Sequence, residues 1–205
     1  PLLADLNGDG TVDFLAPQAS KLCLWSGGPR GAEAWCKEPR YRDEGGNNFH
    51  AVAREEGFAG LLAVMSADDS ILKAFRGTDG AVVWQKLLSG GEVTSSADGG
   101  VGILADPVTG DFDQGGSDEV LLGAEDGWLY MLEAPTGERL WSMNLGFFPR
   151  ELVVADVEPD QEGEILVGSA NGEVLLYEQA RLPAPAEVRE VELSAAGEPL
   201  AEGAD

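Results

Sequence analysis

An acidic nine-residue loop occurs three times in this 205-residue chain, each time directly before a short apolar run. The copies span Asp5–Asp13, Asp111–Glu119 and Asp156–Glu164. Each copy begins with Asp and carries a second acidic residue eight positions later. A repeated unit of this kind predicts stacked or radial architecture instead of one continuous enzyme fold.

The apolar runs around these loops are short and are separated by turns rich in the chain's 28 glycines, which is typical of many short strands. They group into four units of four strands, spaced by about 45 residues as in propeller blades. The units cover residues 1–47, 48–100, 101–147 and 148–181, and the acidic, Pro/Ala/Glu-rich segment 182–205 is predicted as a tail or a closing strand. The predicted strands are 2–6, 13–17, 21–26 and 32–37; 49–54, 60–66, 71–76 and 81–87; 101–106, 119–124, 128–133 and 139–144; and 151–157, 164–169, 173–178 and 187–193.

A second repeated signature is a glycine turn followed four residues later by tryptophan on the next strand. It occurs as Gly31 with Trp35, Gly80 with Trp84, and Gly137 with Trp141. Glycine supplies the positive φ that such a turn needs. We expect each tryptophan, lying on the outermost strand of its unit, to wedge between neighbouring blades.

The acidic loops resemble FG-GAP/VCBS-type repeats, as in integrin-like propellers. The Gly-x-x-x-Trp hairpins resemble PQQ-like repeats, as in quinoprotein dehydrogenases and outer-membrane assembly lipoproteins. Together these resemblances cover about residues 2–178. They imply an all-β propeller of about four four-stranded blades, as part of a ring of about six to eight. The chain opens at Pro1 without a methionine, so we expect a processed product or part of a longer protein.

The Asp5–Asp13 loop is the best candidate for a metal site. Alternating oxygen side chains with a glycine at the bend suit Ca²⁺, which takes six to eight oxygen ligands. The loop is not an EF-hand, because Ala16 stands where that motif needs a bidentate Glu. The alternative is an acidic turn whose side chains cap backbone amides. The ligands predicted here are Asp5, Asn7, Asp9, the Thr11 carbonyl and Asp13.

The two degraded copies are weaker candidates for the same structural Ca²⁺. In the second, Gly115 replaces the third ligand and Asp118 is an alternative ligand; in the third, the only glycine comes late, at Gly163. The ligands predicted in the second copy are Asp111, Asp113 and Glu119. Those predicted in the third are Asp156, Glu158, Asp160 and Glu164.

The two cysteines flank a predicted hairpin. Folding the hairpin about residues 29–30 places Cys23 opposite Cys36 and Trp25 opposite Ala34. Directly opposed residues lie within disulfide range, so we predict a Cys23–Cys36 bridge and an oxidising, extracytoplasmic setting. The alternative is two buried free thiols.

The net charge of −24 disfavours binding to nucleic acid or to an anionic membrane surface. No apolar run approaches the roughly 20 residues of a membrane span. His50 is the only histidine, and no zinc, haem, P-loop or dinucleotide motif is present. The sequence therefore favours a non-catalytic, calcium-stabilised propeller that binds a protein or glycan, or serves as a scaffold in a larger assembly.

Candidate recognition residues are exposed aromatic and charged side chains on predicted loops. For the aromatic pair Phe147 and Phe148, packing between blades is the alternative. The candidates are Tyr41, Arg42, Phe147, Phe148 and Arg150.

The alternative function is a fragment of a propeller enzyme, either a quinoprotein dehydrogenase or a calcium-dependent polysaccharide lyase.

Overall fold

The computed structural model describes residues 2–18, 21–28, 31–37, 50–53, 62–66, 71–95, 101–102, 105–113, 115–155, 164–177 and 190–192. Its strands form three four-stranded sheets and one five-stranded sheet, all antiparallel and in sequence order. Within the described part of the chain, no helix is long and apolar enough to cross a membrane.

Each sheet is built from consecutive strands. The first sheet contains β1 (Leu2–Ala4), β2 (Asp13–Gln18), β3 (Lys21–Trp25) and β4 (Glu33–Lys37). The second contains β5 (His50–Ala53), β6 (Leu62–Ser66), β7 (Ile71–Arg76), β8 (Val82–Ser89) and β9 (Glu92–Thr94). The third contains β10 (Val108–Gly110), β11 (Glu119–Gly123), β12 (Trp128–Glu133) and β13 (Arg139–Asn144). The fourth contains β14 (Pro149–Ala155), β15 (Glu164–Ser169), β16 (Val174–Tyr177) and β17 (Glu190–Glu192).

The sheets follow one another around a shared axis. Contacts between their first strands join β1 to β5, β5 to β10, and β10 to β14. An apolar core fills each of the three spaces between successive sheets, and its residues come from both neighbours. This is the arrangement of successive blades of a β-propeller, so the predicted all-β propeller fold is confirmed. We call the sheets the first to fourth blades.

Tryptophans on outer strands join the blades as predicted. The Trp84 side chain of the second blade donates its indole N–H to the Ala134 carbonyl of the third blade at 2.8 Å. Its ring lies against Gly137, where a Cβ atom would come within 2.6 Å of it. Trp35 of the first blade repeats the contact on the second, donating to the Gly77 carbonyl at 2.8 Å and lying against Gly80.

A β-bulge immediately precedes Trp35, Trp84 and Trp141. The pairing of the third and fourth strands shifts register beside Ala34 in the first blade, Val83 in the second and Leu140 in the third. Trp25 is therefore opposite Glu33, and the predicted pairing of Trp25 with Ala34 is wrong because Ala34 is the extra residue. The bulge also explains why Val83 and Leu140 are exposed, since they leave the regular alternation of the strand.

Two other strand predictions were wrong. The third blade begins at Val108–Gly110 and not at 101–106, although the Ala105 N–H still donates to the Gly123 carbonyl at 3.4 Å. The second blade has a fifth strand, Glu92–Thr94, which follows the two-residue turn Gly90-Gly91. Both turn glycines have positive φ, 57° and 85°, as a tight hairpin turn of this length needs.

Candidate functional site

In the first and third blades, the acidic loop and the hairpin turn between the third and fourth strands lie at the same end of the blade. In the third blade, the turn after β12 meets the acidic loop through the Ala134 N–H and the Asp118 carbonyl, 3.1 Å apart. In the first blade, the Gly27 N–H of the corresponding turn donates to Asp13 Oδ1 at 2.8 Å. Because the blades repeat around one axis, these segments form one end of the propeller arc. We call it the acidic end; its described segments are 5–13, 26–28, 31–32, 77–81, 111–113, 115–118 and 134–138.

Asp13 organises the first loop from inside. Its carboxylate is fully buried. Oδ2 accepts the backbone N–H groups of Leu6 and Asn7 at 3.0 and 3.1 Å, while Oδ1 accepts that of Gly27 at 2.8 Å. A buried carboxylate with these three donors fixes both ends of the loop and the neighbouring turn.

The exposed part of the first loop is a ring of oxygens already engaged with backbone amides. Asp5 accepts the N–H groups of Gly8, Asp9 and Gly10 at 2.8 to 3.1 Å. The hydroxyl and N–H groups of Thr11 both donate to Asp9, and they are the main cause of its lowered pKa. These bonds fit the alternative of a capped acidic turn and leave lone pairs on each carboxylate for a cation.

The Asn7 amide lies between two of the predicted ligands. Its Nδ2 is 3.0 Å from Asp9 Oδ2 and 3.5 Å from Asp13 Oδ1, so the NH₂ group supplies the positive partial charge between the two carboxylates. Its Oδ1 accepts the Asp9 N–H at 2.8 Å. Asn7 would have to turn its amide to offer Oδ1 to a cation between these carboxylates.

The second loop brings its acids closer together. Among the described residues, the one group of three whose ligand atoms all lie within 4.8 Å of one another is Asp111, Asp113 and Glu119. Glu119 repeats the role of Asp13: it is 3% exposed, and its Oε2 accepts the N–H groups of Phe112 and Asp113 at 2.7 and 3.2 Å. Three converging carboxylates suit a hard divalent cation, so these residues fit Ca²⁺ better than the first loop does.

The pKa of Glu119 is raised from 4.5 to about 7. Burial is the largest cause, and the charges of Asp113 and Asp111 raise the pKa further, whereas the two backbone N–H bonds lower it. Without a cation, folding therefore favours the protonated carboxyl, and ionisation of Glu119 costs stability as the pH rises from about 4.5 to about 7.

The third acidic loop, with the predicted ligands Asp156, Glu158 and Asp160, lies outside the described residues. Glu164, its last predicted ligand, begins β15 and is 3% exposed. It thus occupies the same buried position at the start of the second strand as Asp13 and Glu119. The sequence left metal binding and capping of backbone amides open for these loops. In two of them the side chain at this position accepts hydrogen bonds from the loop's own backbone.

Cys23 and Cys36 face each other across β3 and β4, with Cα atoms 4.1 Å apart, and are joined by a disulfide.

The predicted recognition residues differ in exposure. Phe148 is 55% exposed, while Phe147 packs partly into the core between the third and fourth blades. Arg150 is exposed on β14. Tyr41 and Arg42 lie outside the described residues, and His50 is described only as the first residue of β5.

No protein-family model and no curated protein sequence matches the chain. Among solved structures, BBS1N in complex with ARL6DN matches with a TM-score of 0.64 and 16% identity, over 97% of this chain and 66% of that chain. BamB from Moraxella catarrhalis matches with a TM-score of 0.54 and 19% identity, over 93% of this chain and 48% of that one. The WD40 domain of SCAP from fission yeast matches with a TM-score of 0.52 and 14% identity, over 95% of this chain and 44% of that one. The likeness supports the propeller fold, and this chain spans less than two thirds of each match.

Proposed function

We propose that this chain is a calcium-stabilised, non-catalytic propeller module that binds a partner protein through its acidic end in an extracytoplasmic compartment. The observation that carries the proposal is the repeated placement of acidic loops at one end of the arc. Rigid rings that present loops at one end are suited to recognition, because the scaffold positions the loops without ordering them anew.

Calcium is supported by the second loop above all. Asp111, Asp113 and Glu119 converge. The pKa of Glu119 is raised mainly by burial and further by the charges of Asp113 and Asp111. A divalent cation would offset this charge and would connect the loop to the start of β11. The first loop supplies a further, more exposed set around Asp5 and Asp9.

Protein binding is supported by two observations. BBS1N, which this chain resembles in fold, was solved in complex with ARL6DN. The chain itself carries a net charge of −24, and exposed acids recur at the acidic end, including Asp9, Asp79, Asp111 and Asp113. Charge of one sign on one face favours a partner with a basic surface. The disulfide supports an oxidising compartment.

Calcium binding predicts a melting temperature that depends more strongly on pH when the cation is removed. In chelator, we expect the protein to melt several degrees lower at about pH 8 than at about pH 5, because ionised Glu119 is destabilising. Saturating Ca²⁺ should remove most of this difference, since a ligand at a hundredfold excess over its Kd stabilises by about 2.7 kcal/mol. The measurement is differential scanning calorimetry in both conditions.

The matched variants for this test are Asp113→Asn and Glu138→Gln. Asp113→Asn should reduce the stabilisation by Ca²⁺, whereas Glu138→Gln, an exposed acid at the same end, should leave it unchanged. Glu119→Gln should abolish the pH dependence in chelator. A wild-type melting temperature that is the same in Ca²⁺ and in chelator at about pH 8 would contradict calcium binding.

Recognition through the acidic end predicts where a cationic probe binds. In chelator, where no bound cation can be lost, a poly-lysine peptide of defined length should bind more weakly to the double variant Asp5→Asn/Asp111→Asn than to wild type, by about threefold to tenfold at low salt. Glu125→Gln/Glu173→Gln removes two exposed acids from the opposite end of the blades and serves as the charge-matched control. Calorimetric titration gives the affinities, and equal weakening by both double variants would argue against a specific acidic end.

A further inference from the structure

The connection between the second and third blades contains an insertion that the blade repeat does not need. The third blade passes to the fourth through residues 145–148, which run from the end of β13 to the start of β14. At the second blade, the backbone is already closed between Leu88 and Val101, because the Val101 N–H donates to the Leu88 carbonyl at 2.8 Å. Residues 89–100 are therefore an addition whose two ends meet, a kind of loop that is frequently functional.

The described tip of the insertion is the Gly90-Gly91 turn, which connects β8 to β9 and lies against the third blade. Asp126, in the turn between β11 and β12 at the end opposite the acidic end, accepts the Gly90 N–H through Oδ2 at 2.7 Å. The hydroxyl of Tyr130, a fully buried residue, accepts the Gly91 N–H at 3.0 Å and donates to Asp126 Oδ2 at 2.8 Å. Two consecutive N–H groups of the turn are thus bound by side chains that also hold each other in place.

Three more side chains of the third blade complete this site. The Gly91 carbonyl accepts a hydrogen bond from Ser142 Oγ at 2.7 Å and another from the Arg139 guanidinium. The Trp128 ring lies against Gly91, which has φ of +85°, and an added Cβ atom would come within 2.6 Å of the ring. The site therefore binds both polar backbone groups of residue 91 and leaves no room for a side chain there.

This arrangement is not part of the propeller repeat. At the corresponding positions, 45 residues later, the fourth blade has asparagine, glutamate and leucine in place of the aspartate, the tryptophan and the tyrosine. These residues are Asn171, Glu173 and Leu175. The contacts of Trp35 and Trp84, by contrast, recur from blade to blade. The five side chains around the Gly90-Gly91 turn are therefore specific to the third blade, and the general fold does not account for them.

We propose that the third blade carries a recognition site for a tight Gly-Gly turn, and that the insertion is a built-in ligand which another molecule's Gly-Gly turn displaces. The hydrogen bonds at the turn all go to its backbone groups. A turn of the same shape from a separate peptide therefore meets the same donors and acceptors. The ligand class is a peptide or protein segment with a glycine at both central positions of the turn.

The insertion is suited to displacement because little else anchors its described part. β9 is three residues long and pairs with the last three residues of β8, and so short a hairpin is marginally stable by itself. Its other anchors are Val93, which packs partly into the core between the second and third blades, and an exposed ion pair between Glu92 and Arg139 at 3.3 Å. The bond between Leu88 and Val101 keeps the blade connection closed when the hairpin leaves.

The test uses a variant of the whole chain in which two glycines replace residues 89–100. Two residues are the length of a turn that one C=O···H–N bond closes, as the bond from Leu88 to Val101 does. The probe is a synthetic peptide of residues 87–94, closed into a hairpin by a disulfide between added terminal cysteines. Calorimetric titration should show that the peptide binds the shortened variant at least about tenfold more tightly than wild type, where the chain's own turn competes at high effective concentration.

Single substitutions provide matched controls. In the full-length chain, Gly91→Ala should expel the turn and open the site to the peptide, whereas Gly90→Ala should leave it closed. Gly90 also has positive φ, +57°, but nothing lies within 4 Å of its added Cβ atom. A peptide with alanine at position 91 should bind neither open form. Tyr130→Phe in the shortened variant should weaken binding of the glycine peptide by about threefold to tenfold, because one hydrogen-bond acceptor is lost.

Two results would overturn the proposal. One is failure of the shortened variant, shown to be folded by circular dichroism, to bind the peptide. The other is equal binding to the shortened variant and to wild type, which would place the peptide elsewhere on the surface. If the shortened variant does not fold, the pair Gly91→Ala and Gly90→Ala decides the matter, and equal peptide affinity of these two variants would overturn the proposal.

Discussion

Replacing Trp84 by alanine will lower the free energy of unfolding by about 3 to 5 kcal/mol, as is usual for loss of a buried tryptophan. Trp84 is 8% exposed and lies in the core between the second and third blades. Its removal leaves a cavity against Gly137 and leaves the Ala134 carbonyl without its indole donor. Urea denaturation followed by circular dichroism measures the loss.

Three further variants separate the causes. Trp84→Phe keeps most of the ring contact and loses the N–H bond, so it should cost about 1 to 2 kcal/mol. Gly137→Ala should disrupt the same contact from the third blade. Gly137 has φ of +67°, and an added Cβ atom would lie 2.6 Å from the Trp84 indole. Gly146→Ala is its control, since Gly146 has φ of +74° but nothing within 4 Å of an added Cβ.

Val83→Ala, at the exposed bulge beside Trp84, is the reference for the tryptophan substitution. If Trp84→Ala lowered the free energy of unfolding no more than Val83→Ala, the tryptophan would not join the blades.

Replacing Asp13 by alanine will cost about 3 kcal/mol or more, even with chelator present. The carboxylate is fully buried and accepts the backbone N–H groups of Leu6, Asn7 and Gly27. Each buried donor left without a partner costs about 1 to 3 kcal/mol. The free energy of unfolding in chelator, from urea titration, is the relevant measurement because it excludes any contribution of a cation.

Asp9→Ala is the matched control in the same loop. Asp9 also accepts several hydrogen bonds, but it is exposed, and water replaces the lost partners of Thr11 and Asn7. Its substitution should cost less than about 1 kcal/mol in chelator. Equal costs for Asp9→Ala and Asp13→Ala would show that burial of the Asp13 carboxylate does not organise the loop.

The propeller could be predicted from sequence because its two repeated motifs, the acidic loop and the Gly-x-x-x-Trp hairpin, are local. A loop of alternating acids before a strand, and a glycine four residues before a tryptophan, are both visible within about ten residues. The Cys23–Cys36 pairing followed in the same way, since hairpin register is a short-range property. The contacts of Trp35 and Trp84 with the next blade follow from the same local frame.

What sequence reasoning missed depends on single-residue shifts. The bulge at Ala34 moved the partner of Trp25 by one residue, and an apolar run at 101–106 was taken for the first strand of the third blade. The position of the acidic loop would have given the correct first strand, because Val108–Gly110 directly precedes Asp111 just as Leu2–Ala4 directly precedes Asp5. The sequence could not decide whether Asp13 and Glu119 bind a metal or cap the loop backbone, because a metal ligand and a capping acid have the same sequence signal.

The bulges beside Ala34 and Leu140 lie on the last strands of the first and third blades, where they affect pairing with strands of other molecules. An outermost strand presents unpaired N–H and C=O groups that can recruit strands from other molecules. An extra residue bends and twists the strand locally, so a flat foreign strand cannot continue the ladder past that point. The irregularity that directs a tryptophan toward the neighbouring blade thus also makes the rim of the first and third blades a poor template for amyloid.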